Sequence, residues 1–264
     1  MIQILPQVQM GTGSLSEETI SSYQKNGFVK VPNLLQRECV AEFREEAIKM
    51  APQNSINGNP YENRLAQQVN IWQKNDIMKA LSLSPDIAKL ASQLTGSPMR
   101  IWHDHLLSKA PNTGLPTEWH QDQPYWPFVK GNKTISVWIA LQDTPVEKGC
   151  MSFIPQSHEL TELEPQNLSD PNSLFEKAPQ LEFQPSIALP LKAGDATFHN
   201  GFCAHRAFGN QTDDWRIAHV TIYMDANTKY SGKRHVVTDN YIEDVGDISE
   251  GETLDKEWFP LLTP

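Results

Sequence analysis

His120 and Asp122, two residues of the types that bind metal ions, form an H-x-D triplet in this 264-residue chain. In an extended strand, positions i and i+2 point to the same face, so both side chains can reach one ion. Two histidines and one carboxylate on one face of an octahedral ion leave three positions open, which is the arrangement of iron(II) oxygenases. Because such a triplet also arises by chance, it predicts a metal site only if the chain supplies a second histidine.

That third ligand has two candidates. His205 is the preferred one and His199 is its competitor. Histidines are often ordinary core or surface residues, so the residue type alone does not decide between them.

Arg216 adds a further constraint, because it lies in a strand-like segment whose residues alternate in character. Its phase is shared by Ala218, Val220, Ile222 and Met224, whereas Trp215, His219, Thr221 and Tyr223 take the other face. An arginine on an apolar face needs a carboxylate partner, and its planar guanidinium suits bidentate binding. That partner is either an Asp or Glu of the chain or the distal carboxylate of a bound 2-oxo acid.

Four motifs in a fixed order resemble the phytanoyl-CoA dioxygenase family. They are WHQDQPYWPF at 119–128, SVWIAL at 136–141, GCMSFIPQSH at 149–158 and GDATFH at 194–199. The similarity runs from about Tyr23 to Met224, which is most of the chain. It implies a mainly β fold with flanking helices, built on a double-stranded β-helix or jelly-roll core.

The resemblance also implies roles for particular residues. His120, Asp122 and His205 match the family's metal ligands, and Arg216, eleven residues after His205, matches its 2-oxoglutarate arginine. This spacing favours His205 over His199. Trp138 matches a tryptophan that lines the co-substrate pocket, and Gln121 is a further shared contact candidate.

The implied enzyme is a non-haem dioxygenase that uses Fe(II), 2-oxoglutarate and O₂ and releases succinate and CO₂. Hydroxylation of an unactivated C–H is the expected outcome, because relatives that halogenate lack the carboxylate that Asp122 provides here. Desaturation and ring closure remain alternatives.

Several other residues are candidates for the substrate pocket. Tyr125 and Trp126 follow the H-x-D triplet closely enough to overhang the metal, although loop aromatics are usually core residues. His103 and His105 form an H-x-H pair for which the family places no ligand, so structural or substrate-pocket roles are expected, with His105 as the candidate contact.

The segments that position these residues fall into three parts of one predicted domain, 1–264. Residues 1–98 are mainly helical, with helices after Ser16, over 35–50 and over 85–94, a short strand at 28–31 and a polar loop at 54–60. Residues 99–224 form the jelly roll, with strands at 100–108, 134–142, 150–154, 187–190, 196–199 and 215–224. The insertion at 160–185 is a candidate lid. Residues 225–264 are an acidic, loop-like tail.

Composition limits the possible partners. A net charge of −10 argues against nucleic acid and an anionic membrane surface, and no basic cluster suits the phosphates of CoA. The odd, scattered cysteines (Cys39, Cys150 and Cys203) predict reduced thiols. With no signal peptide or membrane span in the sequence, we expect a cytoplasmic enzyme with a small-molecule substrate. The oligomeric state stays open, a monomer being the simplest case.

Three rival interpretations stay open at this point. A cupin-like metalloenzyme would use His103, His105 and His120, with or without Asp122, and would leave Arg216 unexplained. A zinc hydrolase could use the same three ligands as the oxygenase. A non-catalytic jelly-roll protein would bind its ligand without metal.

Overall fold

The computed structural model of the chain describes residues 7–51 and 65–263. The polar loop predicted at 54–60 lies outside these residues. Within them, no helix is both long and apolar enough to cross a membrane.

Two antiparallel sheets form the centre of the fold. The large sheet has the strand order β1-β8-β5-β10-β3-β2, and these strands are β1 Phe28–Val31, β2 Ala66–Val69, β3 Met99–Lys109, β5 Thr134–Ala140, β8 Ala196–Asn200 and β10 Arg216–Asp225. The small sheet has the order β4-β9-β6-β7, and its strands are β4 Thr117–His120, β6 Met151–Phe153, β7 Ile187–Leu189 and β9 His205–Ala207. The two sheets with their flanking helices confirm the predicted double-stranded β-helix.

Six α-helices accompany the sheets in the described residues: α1 Glu17–Asn26, α2 Arg37–Met50, α3 Asp76–Ser82, α4 Pro85–Thr95, α5 Ser173–Lys177 and α6 Val236–Asp244. The predicted start of α1 is confirmed, since the Ser16 hydroxyl accepts a hydrogen bond from the Thr19 amide at 3.2 Å. The predicted end is confirmed by Gly27, whose φ of 81° lies in the left-handed region.

Opposite faces of the large sheet have different tasks, as the alternation in 215–224 predicts. On one face, Ile217 and Tyr223 of β10 join a core that includes residues of α1 to α4. On the other face, Val220 and Ile222 join a second core with residues of the small sheet and α6. The strand therefore separates structural packing from the face on which a site can be built.

The sequence interpretation missed six of these helices and strands. They are β2, α3, β4, α5, β9 and α6. The strands among them have three or four residues, too few to show a period, and α3 follows directly on a 3₁₀ turn at Ile71–Gln73. The N-terminal part is therefore not only helical, since β1 and β2 join the large sheet. The prediction of a loop-like tail was wrong at α6, whose polar surface masks a buried stripe of Val237, Thr238 and Tyr241.

A buried polar network joins the helical layer to the large sheet. The hydroxyl of Ser82, at the end of α3, donates to Asp104 Oδ2 of β3 at 2.6 Å and lies 3.0 Å from His219 Nε2 of β10. Asp104 Oδ2 also accepts the Trp72 amide at 3.0 Å. Ser82, Asp104 and His219 are all fully buried, so these hydrogen bonds replace part of what water would have provided.

We expect Ser82→Ala to lower the free energy of unfolding by about 1.5–3 kcal/mol, because it removes a buried hydrogen bond to a carboxylate. Urea unfolding followed by circular dichroism measures the change. Ser21→Ala, at an exposed position of α1, is the matched control and should change stability by less than about 0.5 kcal/mol. Equal effects of the two substitutions would contradict a stabilising role for the network.

Candidate metal centre and co-substrate pocket

One pocket lies between the two sheets and contains most of the residues singled out by their chemistry. Its volume is about 1050 Å³ including its open mouth. Six of the eight histidines of the chain line it: His103, His105, His120, His199, His205 and His235. The remaining lining is largely apolar, with Val69, Leu107, Met151, Val220 and Ile222 among its residues.

Two of these histidines face each other across a strand pair. His120 is the last residue of β4, His205 is the first of β9, and the two are direct partners in the antiparallel register. Directly opposed residues have Cβ atoms about 4.5–5.5 Å apart and project to the same side of the sheet. The rings accordingly lie with their centroids 4.3 Å apart. The strand register therefore brings together two imidazoles that are 85 positions apart in the sequence.

Both rings are oriented by main-chain carbonyl groups. His120 Nδ1 lies 2.7 Å from the Glu118 carbonyl oxygen, and His205 Nδ1 lies 2.9 Å from the Cys203 carbonyl oxygen. A carbonyl oxygen can only accept, so each Nδ1 carries the proton and each Nε2 presents a lone pair. This is the arrangement in which protein histidines bind metals.

Asp122 lies beyond the end of β4 and not within it. Its backbone is in the right-handed helical region, at the start of a 3₁₀ turn over Gln123–Tyr125, so the expectation that an extended chain aligns His120 and Asp122 was wrong in detail. The turn still directs the carboxylate to the histidines. Asp122 Oδ1 is 3.5 Å from His120 Nε2 and 3.8 Å from His205 Nε2.

The electrostatics of this group favour metal binding. Burial lowers the pKa of His205 to about 3, with a further contribution from His120, and so keeps this imidazole neutral. Burial opposes ionisation of Asp122, but His205, His120 and His199 outweigh it and hold the pKa of that carboxyl well below its usual range. A neutral imidazole and an ionised carboxylate are the forms that bind a divalent metal.

His199 occupies a different position around the carboxylate. Its Nε2 lies 3.6 Å from Asp122 Oδ2, and the Ser136 hydroxyl lies 3.4 Å from the same oxygen. His120, Asp122 and His205 have ligand atoms that all lie within 4.8 Å of one another. In the described chain, no other group of three or more His, Cys, Asp or Glu residues meets this condition. The geometry thus gathers the three residues expected from the sequence and leaves His199 beside the carboxylate. It does not gather the His103, His105 and His120 set of the cupin-like alternative.

Arg216 and Trp138 line the same pocket on neighbouring strands of the large sheet. Arg216 is the first residue of β10 and is only 1% exposed. Its Nη1 donates to the Leu107 carbonyl oxygen at 3.3 Å, and its guanidinium carbon lies 5.6 Å from the centre of the Trp138 ring. A buried cation thus faces a cavity that contains a potential metal centre.

Gln121 does not line this pocket, contrary to the expected co-substrate contact. Its side-chain nitrogen donates to the carbonyl oxygens of Phe202 at 2.7 Å and Leu160 at 2.9 Å. As the middle residue of the H-x-D triplet, it points away from both neighbours, so it ties the triplet to the turn before His205 and to the start of the insertion. The prediction that it contacts the co-substrate rested on the family resemblance alone.

Tyr125, Trp126 and His105 all line the pocket, as the sequence analysis expects. The Tyr125 hydroxyl donates to the main-chain carbonyl oxygen of Gln166. The main-chain N–H of Gln121 donates to Gln166 Oε1 at 2.8 Å. The insertion at 160–185 is therefore anchored beside the metal site, and its Leu168 reaches the pocket lining.

His235 is a pocket residue that the sequence interpretation missed. It caps the N-terminus of α6, and its Nδ1 accepts the Val237 amide at 3.2 Å. A histidine directly before a Val-Val-Thr-Asp sequence could have been recognised as a helix cap, but the acidic residues around it concealed the helix.

The family model of phytanoyl-CoA dioxygenase (PhyH) matches residues 23–218 of the chain. A similar curated protein is the peroxisomal phytanoyl-CoA dioxygenase of Rattus norvegicus, 23% identical over 266 residues that span 92% of this chain and 78% of the rat protein.

Two solved structures are more similar to the chain. The non-haem α-ketoglutarate-dependent carbocyclase SnoK from nogalamycin biosynthesis is 34% identical with a TM-score of 0.81, over 94% of this chain and 97% of SnoK. The epimerase SnoN, in complex with Fe³⁺, α-ketoglutarate and nogalamycin RO, is 31% identical with a TM-score of 0.77, over 93% of this chain and 98% of SnoN.

The family match covers well over half of the chain, and its span contains the H-x-D triplet, His205 and Arg216. The chain therefore belongs to the phytanoyl-CoA dioxygenase family, and it is a non-haem, 2-oxoglutarate-dependent iron oxygenase.

Proposed function

We propose that this enzyme attacks an unactivated C–H bond of a small or medium-sized organic molecule and, as its primary outcome, hydroxylates it. The observation that carries the proposal is the convergence of His120, Asp122 and His205, with both imidazole tautomers fixed for metal binding. Among the described residues, this set lies in the same pocket as a buried arginine and an apolar wall.

The donor set fits iron(II). Two imidazole nitrogens and one carboxylate oxygen are the facial set that leaves three positions for a bidentate 2-oxo acid and O₂. When bound, iron and 2-oxoglutarate supply the activation of O₂ and the removal of a hydrogen atom from the substrate, with succinate and CO₂ as products. Asp122 Oδ2 lies beside the Ser136 hydroxyl and His199. These contacts orient the carboxylate so that Oδ1 faces His120 and His205.

Arg216 is the proposed anchor of the distal carboxylate of 2-oxoglutarate. The guanidinium can donate two parallel hydrogen bonds to a carboxylate, and its burial strengthens them by excluding water. The Trp138 ring, next to the guanidinium, limits the positions available to the co-substrate chain. The protein thereby fixes the orientation of the oxo acid, while the chemistry is that of the cofactor.

The pocket favours a substrate without CoA. Arg216 is the only lysine or arginine among the described lining residues, which gives no site for several phosphate groups. Apart from the histidines, Asp122 and Arg216, the lining is largely apolar, which suits an additional, apolar molecule beside the oxo acid. The similarity to two enzymes associated with nogalamycin supports a natural-product intermediate as the substrate class.

Ring closure or epimerisation is the second candidate outcome, favoured by the identity of 34% to a carbocyclase and 31% to an epimerase. Both begin, like hydroxylation, with attack on a C–H bond, so the same site serves all three. Screening natural-product intermediates for stimulated succinate release identifies the substrate. The mass of its product then separates hydroxylation, which adds one oxygen atom, from the alternatives, which add none.

Replacing a metal ligand should abolish both iron binding and turnover. His120→Ala, Asp122→Ala and His205→Ala each remove one of three donors, whereas His199→Ala removes only a contact to Asp122 and should weaken iron binding by about 10-fold to 100-fold. Anaerobic Fe(II) titration measures the affinities, and His158→Ala, a histidine outside the pocket lining, is the matched control. Full iron binding and activity in His205→Ala would contradict the assignment of the third ligand.

Arg216→Ala should weaken 2-oxoglutarate binding by about 30-fold to 1000-fold while iron affinity stays nearly unchanged, because a buried, bidentate charge pair is worth about 2–4 kcal/mol. Arg216→Lys should recover only part of the loss, since an ammonium cannot reproduce the planar fork. Anaerobic titration of the iron-to-oxo-acid charge-transfer band measures binding separately from chemistry.

Pyruvate provides the control for this substitution. It lacks the distal carboxylate, so it should bind the wild type poorly and lose little further in Arg216→Ala. If Arg216→Ala bound 2-oxoglutarate as tightly as the wild type, an internal carboxylate partner for Arg216 would replace the proposed role.

The insertion at 160–185 should close over the bound substrate, because Leu168 lines the pocket and Tyr125 holds Gln166 beside the metal site. Amide exchange in this segment should slow when iron, 2-oxoglutarate and substrate are all present, while exchange in β5 changes little. Hydrogen–deuterium exchange mass spectrometry measures both segments. Identical exchange of the insertion with and without ligands would contradict a lid.

A further inference from the structure

A second group of histidines lies in the same pocket but outside the metal set. His103 and His105 project from β3 with ring centroids 4.4 Å apart, and His235 approaches from the start of α6 with its ring 5.9 Å from that of His103. We call these three residues the imidazole cluster. In the described chain, they are not part of any set whose ligand atoms converge as those of a metal site do.

A β-bulge in β3 gives the cluster its aromatic support. The register with β10 pairs Ile222 with His103 and Tyr223 with Ile101, so Trp102 is an extra residue. Such a bulge re-aims side chains next to it. Trp102 belongs to the pocket-side core, and its ring stacks against Phe259 and lies 5.3 Å from the His235 ring. The bulge thus places Trp102 and His103, which are consecutive, on the same side of the sheet.

Hydrogen bonds fix what the cluster can offer to a ligand. His235 Nδ1 accepts the Val237 amide, and His105 Nδ1 lies 2.8 Å from the side-chain nitrogen of Gln67, which can only donate. The neutral ring of each therefore carries its proton on Nε2. Burial is the main cause that lowers the pKa of both histidines to about 4, so the neutral form prevails near pH 7.

His103 points to an unmet hydrogen-bonding need in this part of the pocket. It is 1% exposed, and its Nδ1 has no hydrogen-bond partner among the described residues. A buried polar atom without a partner costs free energy, and a bound ligand is one way to satisfy it.

The large sheet sets the distance from the cluster to the metal centre. His103 pairs with Ile222, and Ile222 pairs with Ser136, whose hydroxyl contacts Asp122. Two strand spacings separate His103 from Ser136, which is roughly 10 Å. Ile222 lies between His103 and Ser136, and Val220 and Trp126 also line the pocket. A slot between two packed sheets with apolar walls suits a flat, multi-ring skeleton.

We propose that the imidazole cluster is a substrate-docking site, at which His105 and His235 donate hydrogen bonds to a carbonyl or phenolic oxygen of a flat, multi-ring substrate. This rests on the proposed function, because the docked oxygen fixes which carbon of the skeleton reaches the metal end. The site selects an oxygen acceptor at one end of the molecule and an apolar surface along its length.

Two probes of identical ring skeleton test the docking site: 9-fluorenone, which carries a carbonyl oxygen, and fluorene, which does not. Equilibrium dialysis measures their affinities for the protein loaded anaerobically with Fe(II) and 2-oxoglutarate. The wild type should bind 9-fluorenone about 10-fold more tightly than fluorene, through two neutral hydrogen bonds to one oxygen.

Two variants locate this preference. The double variant His105→Phe with His235→Asn keeps an aromatic ring at one position and a helix-capping side chain at the other. It should bind 9-fluorenone and fluorene with about equal affinity, and its affinity for fluorene should match that of the wild type. His235→Asn alone should lower the preference by about 3-fold, and it decides the question if the double variant fails to fold. His158→Phe is the matched control, with the wild-type preference expected.

Equal affinities of the two probes for the wild type, an unchanged preference in His235→Asn, or no binding of either probe would overturn the docking site. The charge-transfer band of the iron–oxo-acid complex separates this failure from that of the proposed function. If the band forms normally while the probes show no preference, only the docking site is wrong. If the band is absent from the wild type, the proposed function is wrong, and the probe affinities measured without iron still test the cluster.

Discussion

The pairing register of two short strands is the constraint on which the rest of the site depends. With His120 opposite His205 in the β4–β9 ladder, both imidazoles project to the same side, and the carbonyls of Glu118 and Cys203 turn each Nε2 towards the same point. A shift of one residue in either strand would turn one imidazole to the opposite face. Such short strands cannot specify this register alone, so it has to be held by what surrounds them. Gln121 does so by tying the H-x-D triplet to the turn before His205.

The two faces of the large sheet differ in function: one packs against the helices, and the other lines the pocket. Its outer face is buried under α1 to α4 and is fastened by the Ser82 network, so the sheet is held without help from the pocket side. The inner face can then carry groups that are costly to bury, including Arg216 and His103. Stability and binding are thus assigned to alternate residues of the same strands.

The sequence predicts the chemistry of this enzyme better than its local geometry. The alternation in β10 correctly assigns Arg216 to the inner face, and the motif spacing selects His205, which the structure places beside His120 and Asp122. The strands that carry the two histidines escaped prediction because three or four residues show no periodicity. Gln121 was misassigned and His235 was overlooked for a different reason. Their side-chain directions depend on a turn and a helix cap that form only when distant parts of the chain pack together.

Hydroxylation, ring closure and epimerisation share their first step, so the metal ligands alone cannot decide among them. The decision depends on which atom of the substrate lies nearest when hydrogen has been removed, and a displacement of about 1 Å is enough to change rates strongly. In this pocket, Ser136 beside Asp122 and His103 of the imidazole cluster lie two strand spacings apart on the large sheet. The distance between these two residues is set by strand spacing and not by a loop. In the proposed docking mode, residues at the bulge in β3 and at the start of α6 determine which substrate atom reaches the metal site, without any change of a metal ligand.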